Sequence, residues 1–78
     1  MKLEIITPVK KLFDGEIKSI IVPGTKGVFM VLHNHAPIIS TLEKGQIKIE
    51  TGNNQTEIID IEGGMIEVQR NKIIVLAD

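Results

Sequence analysis

Two histidines separated by one residue, His33 and His35, are the side chains best suited to metal or acid–base chemistry in this chain. In an extended segment, residues two apart project to the same side, so the two imidazoles could share a metal ion. A zinc site needs at least a third protein ligand. The first carboxylate after the pair is Glu43, which follows a predicted strand. The spacing therefore offers two ligands of an incomplete site.

Nucleophilic catalysis is the second chemistry that these histidines could serve. It would require a serine beside an imidazole and an acid that orients the imidazole. Ser19 and Ser40 are available, but neither lies in the glycine pattern of a nucleophile elbow. We therefore expect a histidine that organises a turn or contacts a partner, with no catalytic residue. The Gly24–Gly27 stretch also lacks the spacing of a phosphate-binding loop, so no cofactor is expected.

Turn-forming residues, among them Asp14 and Gly15, recur about every 8 to 12 residues, which is typical of an all-β sandwich or barrel. No segment has the periodicity of a helix. Eight apolar runs are predicted to be strands: residues 3–6, 16–22, 28–32, 37–42, 46–51, 55–61, 65–69 and 72–77.

Composition predicts one aliphatic domain over residues 1–78, because so short a chain supports a single core. Fifteen isoleucines and six valines favour strands. A net charge of −1, without a basic stripe or exposed aromatic platforms, argues against a nucleic-acid partner. The chain has no cysteine, no secretion signal at its N-terminus and no run of 18 apolar residues, so we expect a soluble protein on the cytoplasmic side.

Hydrophobic alternation predicts which strands have one wet face. Residues 46–51 place Ile47 and Ile49 inward, and residues 65–69 do the same with Ile66 and Val68. Two other runs are apolar at consecutive positions and offer hydrophobic side chains to both faces: Ile20, Ile21, Val22, Ile73, Ile74, Val75 and Leu76. Either these residues lie at a sheet edge or under a loop, or a partner subunit covers them.

An ordered set of motifs along the whole chain resembles the N-terminal domain of the epsilon subunit of F-type ATP synthases, called delta in mitochondria. The motifs are Phe-x-Gly at 13–15, His-Ala-Pro at 35–37, Lys-Gly-x-Ile at 44–47, Gly-Gly-x-x-Glu-Val at 63–68 and Val-Leu-Ala-Asp at 75–78. The resemblance implies a two-layer antiparallel β-sandwich of about ten short strands. It also implies a non-catalytic rotor subunit that links the gamma subunit to the c-ring and transmits torque.

Matched position by position, the resemblance implies two contact regions. The c-ring would be contacted by the loop Pro23, Gly24, Thr25, Lys26, Gly27 and Val28, and the gamma subunit by Thr7, His35 and Ser40. The domain would act at the cytoplasmic face of the bacterial inner membrane, with membrane contact only through the complex.

The chain also departs from its relatives. Many have glycine at the position of Met30, a proline or small residue at that of His33, and an acidic residue at that of Val28. Typical bacterial members continue into two C-terminal helices that inhibit ATP hydrolysis and in some cases bind ATP. The sequence ends at Asp78 without a helical hairpin. If the protein ends there, we expect no inhibition by helix insertion and no nucleotide site, and if it continues, those functions would belong to the segment that follows.

A different class of function, a small β carrier or ligand-binding module, remains an alternative. Carrier domains present a modified lysine at a hairpin tip, and Lys26 lies at a predicted tip. Its neighbours Thr25 and Gly27 replace the methionines that usually flank such a lysine.

Overall fold

Short β-branched runs separated by tight turns make this chain a succession of strands, because a β-branched side chain packs well on a pleated surface. The computed structural model describes all 78 residues and has nine strands and no helix. The strands are β1 (Lys2–Ile6), β2 (Lys11–Glu16), β3 (Ser19–Gly24), β4 (Gly27–Val31), β5 (Ile38–Leu42), β6 (Gly45–Glu50), β7 (Thr56–Ile61), β8 (Gly64–Gln69) and β9 (Lys72–Ala77).

The nine strands form one hydrogen-bonded sheet that folds over into two layers. The first layer, sheet one, has the order β2-β1-β9-β8-β5, and the second, sheet two, has the order β4-β3-β6-β7. A single residue pair, Gly24 with Leu42, joins β3 to β5 at the corner between the layers. The predicted two-layer sandwich is confirmed.

The core lies between the two sheets and is aliphatic. Fifteen apolar residues are buried there, contributed by both layers: Leu3, Ile5, Ile17, Ile20, Val22, Val31, Leu42, Ile47, Ile49, Ile61, Ile66, Val68, Ile73, Val75 and Ala77. The inward positions predicted for β6 and β8 are confirmed, since Ile47, Ile49 and Ile66 are fully buried and Val68 nearly so. Phe13 and Phe29 are only half-buried and pack against this cluster.

Strand β2 is not among the eight predicted strands, because Asp14 and Gly15 are turn-forming residues. Both instead pair with β1, where Gly15 faces Leu3 and Asp14 faces Glu4. Lys11 Nζ lies 3.1 Å from Asp14 Oδ2 and 3.4 Å from Glu4 Oε2. Hydrogen bonds to these two carboxylates raise the pKa of Lys11, and the bond to Asp14 has the larger effect. Pairing with β1 therefore makes Asp14 and Gly15 part of a strand, although both residues favour turns by themselves.

The nine strands agree with the expected number of about ten. One detail of the sandwich differs from the expectation. The layers are not wholly antiparallel, because β1 and β9 pair in parallel, with Leu3 opposite Ile73 and Ile5 opposite Val75. The parallel pair places the first and last strands side by side in the middle of sheet one.

The two strands with apolar residues on both faces, β3 and β9, are central strands. β3 lies between β4 and β6, and β9 lies between β1 and β8. Position at a sheet edge therefore does not explain their pattern. On the outer faces, Ile21 and Ile74 are half-buried and Leu76 is 50% exposed.

Candidate functional site

The loop predicted to contact the c-ring is the tip of the β3–β4 hairpin. Gly24 pairs with Gly27, which leaves Thr25 and Lys26 as the two-residue connection. Thr25, Lys26 and Gly27 are exposed, and Val28 is 71% exposed, whereas Pro23 and Gly24 are buried. Within the predicted contact loop, four residues are thus available to a partner and two belong to its base.

Close packing fixes the base of this hairpin. A Cβ atom on Gly24 would lie 2.7 Å from the Gly27 carbonyl oxygen and 2.9 Å from Phe29 Cε1, so only glycine fits. A Cβ atom added to Gly45 would lie 3.0 Å from the Pro23 ring, so the ring packs over this glycine. The Glu43 N–H donates to the Pro23 carbonyl at 2.8 Å. The tip therefore projects from a rigid corner.

A groove of about 610 Å³ lies on the surface where the hairpin meets β5. Its lining is Gly24, Thr25, Lys26, Gly27, Val28, Phe29, Ile38, Ile39, Ser40 and Thr41. Lys26 is the sole ionisable side chain of this set, and the others supply hydroxyl groups and apolar surface. Such a lining suits contact with a partner, because it combines one cation with hydrogen-bonding and apolar groups and holds no acid–base pair.

The three residues predicted to face the gamma subunit lie around sheet one and do not touch one another. Thr7 follows β1, and its hydroxyl donates to the Lys10 carbonyl at 2.9 Å and accepts from the Lys10 N–H at 3.0 Å. Ser40 lies on β5, and its hydroxyl donates to the Thr41 carbonyl at 3.1 Å. His35 lies in the turn before β5, beside Arg70 and Asn71.

The two histidines line different surface depressions. His33 lies in one together with Ser19 and Glu50, where the Ser19 hydroxyl donates to Glu50 Oε2 at 3.4 Å. Ser19 therefore hydrogen-bonds to a carboxylate and not to an imidazole. A catalytic triad requires the serine to hydrogen-bond to the histidine, and the histidine to the acid. No group of three or more histidine, cysteine, aspartate or glutamate side chains has the arrangement of a metal site.

Two stripes of apolar residues are exposed, and of their members the sequence analysis had singled out only Leu76 as a residue that a partner could cover. On the outer face of sheet one, Ile39, Met65 and Leu76 are 67%, 41% and 50% exposed. Cross-strand pairing makes Met65 and Leu76 direct neighbours. On β4, the outward side chains are Val28, Met30 and, just beyond the strand, Leu32. Run 28–32 carried the signal for the second stripe, because it is apolar at every position.

The structure contains no helix with the length and hydropathy needed to cross a bilayer. The candidate site is a set of exposed surfaces on a β-sandwich: the hairpin tip, the groove beside it and the outer face of sheet one.

Comparison with known proteins gives the family. Residues 1–78 match the model of the ATP synthase delta/epsilon chain β-sandwich domain. An ATP synthase epsilon chain of Chlorobium limicola is 39% identical over 77 residues, which cover 99% of this chain and 88% of the relative. One of Leptospira interrogans is 41% identical over 78 residues, covering the whole of this chain and 61% of the relative.

Two solved structures share the fold. A chain of the Euglena gracilis mitochondrial ATP synthase (OSCP/F1/c-ring) superposes with a TM-score of 0.90 at 18% identity, covering 96% of this chain and 48% of that one. A chain of the Tetrahymena thermophila mitochondrial ATP synthase (central stalk/c-ring) gives 0.81 at 20% identity, covering 99% of this chain and 62% of that one. With the family match over residues 1–78, these findings show that the chain belongs to the ATP synthase delta/epsilon family, as an epsilon-type β-sandwich domain.

Proposed function

We propose that this domain is a non-catalytic part of the rotor of an F-type ATP synthase, where it links the gamma subunit to the c-ring and transmits torque. The observation that carries the proposal is the match of residues 1–78 to ATP synthase epsilon chains, at 39% and 41% identity to two of them. The geometry agrees with a mechanical role, because a rigid aliphatic sandwich presents two separate exposed surfaces.

The c-ring would be contacted by the exposed tip of the β3–β4 hairpin. Lys26 supplies a positive charge there, and Val28 supplies apolar surface that is 71% exposed. A lysine at this position suits polar ring loops that present carboxylate or carbonyl oxygens. Val28 would make an apolar contact.

The gamma subunit would be contacted by the outer face of sheet one and its rim. Thr7 and His35 flank opposite ends of this sheet. Ser40 lies on β5, the edge strand, where its half-buried side chain shares the inner face with Ile66, so a partner would reach it from the rim. The exposed stripe that includes Met65 and Leu76 lies between these positions. Apolar surface surrounded by polar residues is the usual composition of a protein–protein interface.

The proposed location is the cytoplasmic face of a bacterial inner membrane, where the domain would be peripheral and reach the membrane only through its complex. The basic test is copurification of this chain with its cognate gamma subunit. We expect a stoichiometric complex. Two separately folded proteins that fail to associate would contradict the proposal.

The ring contact has its own test, the charge reversal Lys26→Glu in the assembled ATP synthase. We expect less ion pumping per ATP hydrolysed, with hydrolysis by the detached catalytic head unchanged. Loss of one favourable surface charge and gain of an unfavourable one is worth about 1 kcal/mol, or about fivefold in contact strength. Lys18→Glu is the matched control, because Lys18 precedes Ser19, at the opposite end of β3 from Gly24. Equal pumping by both variants would argue against the ring contact.

A further inference from the structure

Thr41, on β5, forms hydrogen bonds to residues of both predicted contact regions. Its carbonyl accepts from the Thr25 N–H at 3.1 Å and from the Ser40 hydroxyl, also at 3.1 Å. Its own hydroxyl lies 2.8 Å from that of Thr25, and either group can donate. Thr25 belongs to the hairpin tip and Ser40 to the predicted gamma contact, so one residue connects the two.

This connection stands at the corner where sheet one meets sheet two. The layers share a single paired position there, Gly24 with Leu42. The backbone bonds on either side of that pair are Thr25 N–H to the Thr41 carbonyl and Glu43 N–H to the Pro23 carbonyl. The threonine hydroxyl pair adds a side-chain bond at the outer end of this short ladder.

Beyond Thr25, the hairpin tip is held only within the hairpin. Gly24 and Gly27 pair with each other, and Lys26 forms no hydrogen bond to β5. A force applied at Lys26 therefore passes either along β3 and β4 or through Thr25 into β5. The second route is shorter, because Thr25 is adjacent to Lys26 and Thr41 is adjacent to Ser40.

We propose that Thr41 is a positioning residue that ties the β3–β4 hairpin tip to β5, so that load on the tip is delivered directly to the strand that carries Ser40. The inference rests on the proposed function, which assigns the hairpin tip to the c-ring and Ser40 to the gamma subunit. The bond itself is a property of the isolated domain. A partner of the tip and a partner of Ser40 would thus be coupled through one peptide unit and one hydroxyl pair.

The first measurement is amide hydrogen exchange on Thr41→Val, which keeps the shape and removes the hydroxyl. We expect the Thr25 amide, which donates to the Thr41 carbonyl, to exchange about fivefold faster than in the wild type, the factor for losing a hydrogen bond worth about 1 kcal/mol. Thr41→Ser retains the hydroxyl and should restore slow exchange. Thr25→Val should match Thr41→Val, because it removes the other half of the same pair.

The second measurement uses the assembled ATP synthase. Thr41→Val should show a partial loss of ion pumping per ATP hydrolysed in complexes that contain the gamma subunit in stoichiometric amount, and Thr41→Ser should restore pumping. Unchanged amide exchange in Thr41→Val would show that the hydroxyl pair does not hold the hairpin tip on β5. Faster exchange together with full pumping would show that this bond has no role in transmitting load. Failure of the wild-type chain to bind gamma would instead contradict the proposed function and leave the exchange result standing.

Discussion

Strand β4 connects two exposed regions that are held in different ways. At its start, the hairpin tip is tied to β5 through Thr25, and Gly24 is enclosed by Gly27 and Phe29. After its end, the turn at 33–37 is exposed throughout. One backbone bond closes that turn, from the His35 N–H to the Leu32 carbonyl at 3.2 Å. The tertiary structure fixes the first region, whereas the residues of the second fix their own conformation.

The largest effect expected from this difference is that of Gly24→Ala. The new methyl group would lie 2.7 Å from the Gly27 carbonyl oxygen and 2.9 Å from the Phe29 ring, so the hairpin would have to open. We expect the free energy of unfolding to fall by about 2 to 3 kcal/mol, as for other overpacked sites. Chemical denaturation followed by circular dichroism measures it.

Gly52→Ala is the control for that experiment, because nothing lies within 4 Å of a Cβ atom at Gly52. Its free energy of unfolding should stay within about 0.5 kcal/mol of the wild type. If both alanine variants were equally stable, the base of the hairpin would not be as closely packed as the distances indicate.

The second effect concerns the turn at 33–37, where Asn34 is left-handed with a φ of 66°. Asparagine tolerates this conformation better than other residues with a Cβ atom, because its side chain can hydrogen-bond locally. We expect Asn34→Ala to lower the free energy of unfolding by about 1 kcal/mol, and Asn34→Gly to leave it nearly unchanged. Thermal unfolding of the three proteins provides the comparison. A glycine variant as unstable as the alanine one would show that the Asn34 side chain, and not its φ angle, holds the turn.

Strands with one solvent-exposed face could be predicted from the sequence. Strands whose formation or orientation depends on pairing with other strands could not. Alternation in β6 and β8 placed Ile47 and Ile66 correctly, because a period of two is a local signal. β2 has no such signal. Asp14 and Gly15 are turn-forming residues, and only pairing with β1 makes them part of a strand. In β3 and β9, consecutive apolar residues gave no indication of which side faced the core.

The candidate site divides in the same way. Glycine and threonine at 24–27 were enough to predict a hairpin with Lys26 at its tip, and the structure confirms that position. The contact of Thr25 with Thr41 joins residues 16 apart in the chain. It depends on where β5 pairs with β8 and where the sheet folds over, and no local pattern encodes either. The exposure of Ile39 and Met65 depends on the same pairing.

The smallest effect is expected at His35, whose ring is positioned by the residue that follows it. His35 Nδ1 lies 2.6 Å from the Ala36 carbonyl oxygen. A carbonyl can only accept a hydrogen bond, so in the neutral ring Nδ1 carries the proton and Nε2 is an acceptor. Nitrogen NMR of the free domain should therefore find the Nδ1-protonated tautomer. His35→Asn, which keeps a donor near Ala36, should change the free energy of unfolding by less than about 0.5 kcal/mol.

Binding to the gamma subunit makes this small effect informative. If Nε2 accepts a hydrogen bond from a donor on gamma, His35→Asn should weaken binding while the fold stays intact, because asparagine is too short to reach that position. His35→Gln places an amide nearer to Nε2 and is the matched comparison. A neutral ring protonated at Nε2 would reverse the assignment, since His35 would then present a donor to its partner. The chemistry at this contact depends on a single hydrogen bond between adjacent residues, whereas Thr25 is held by a strand that begins more than ten residues later.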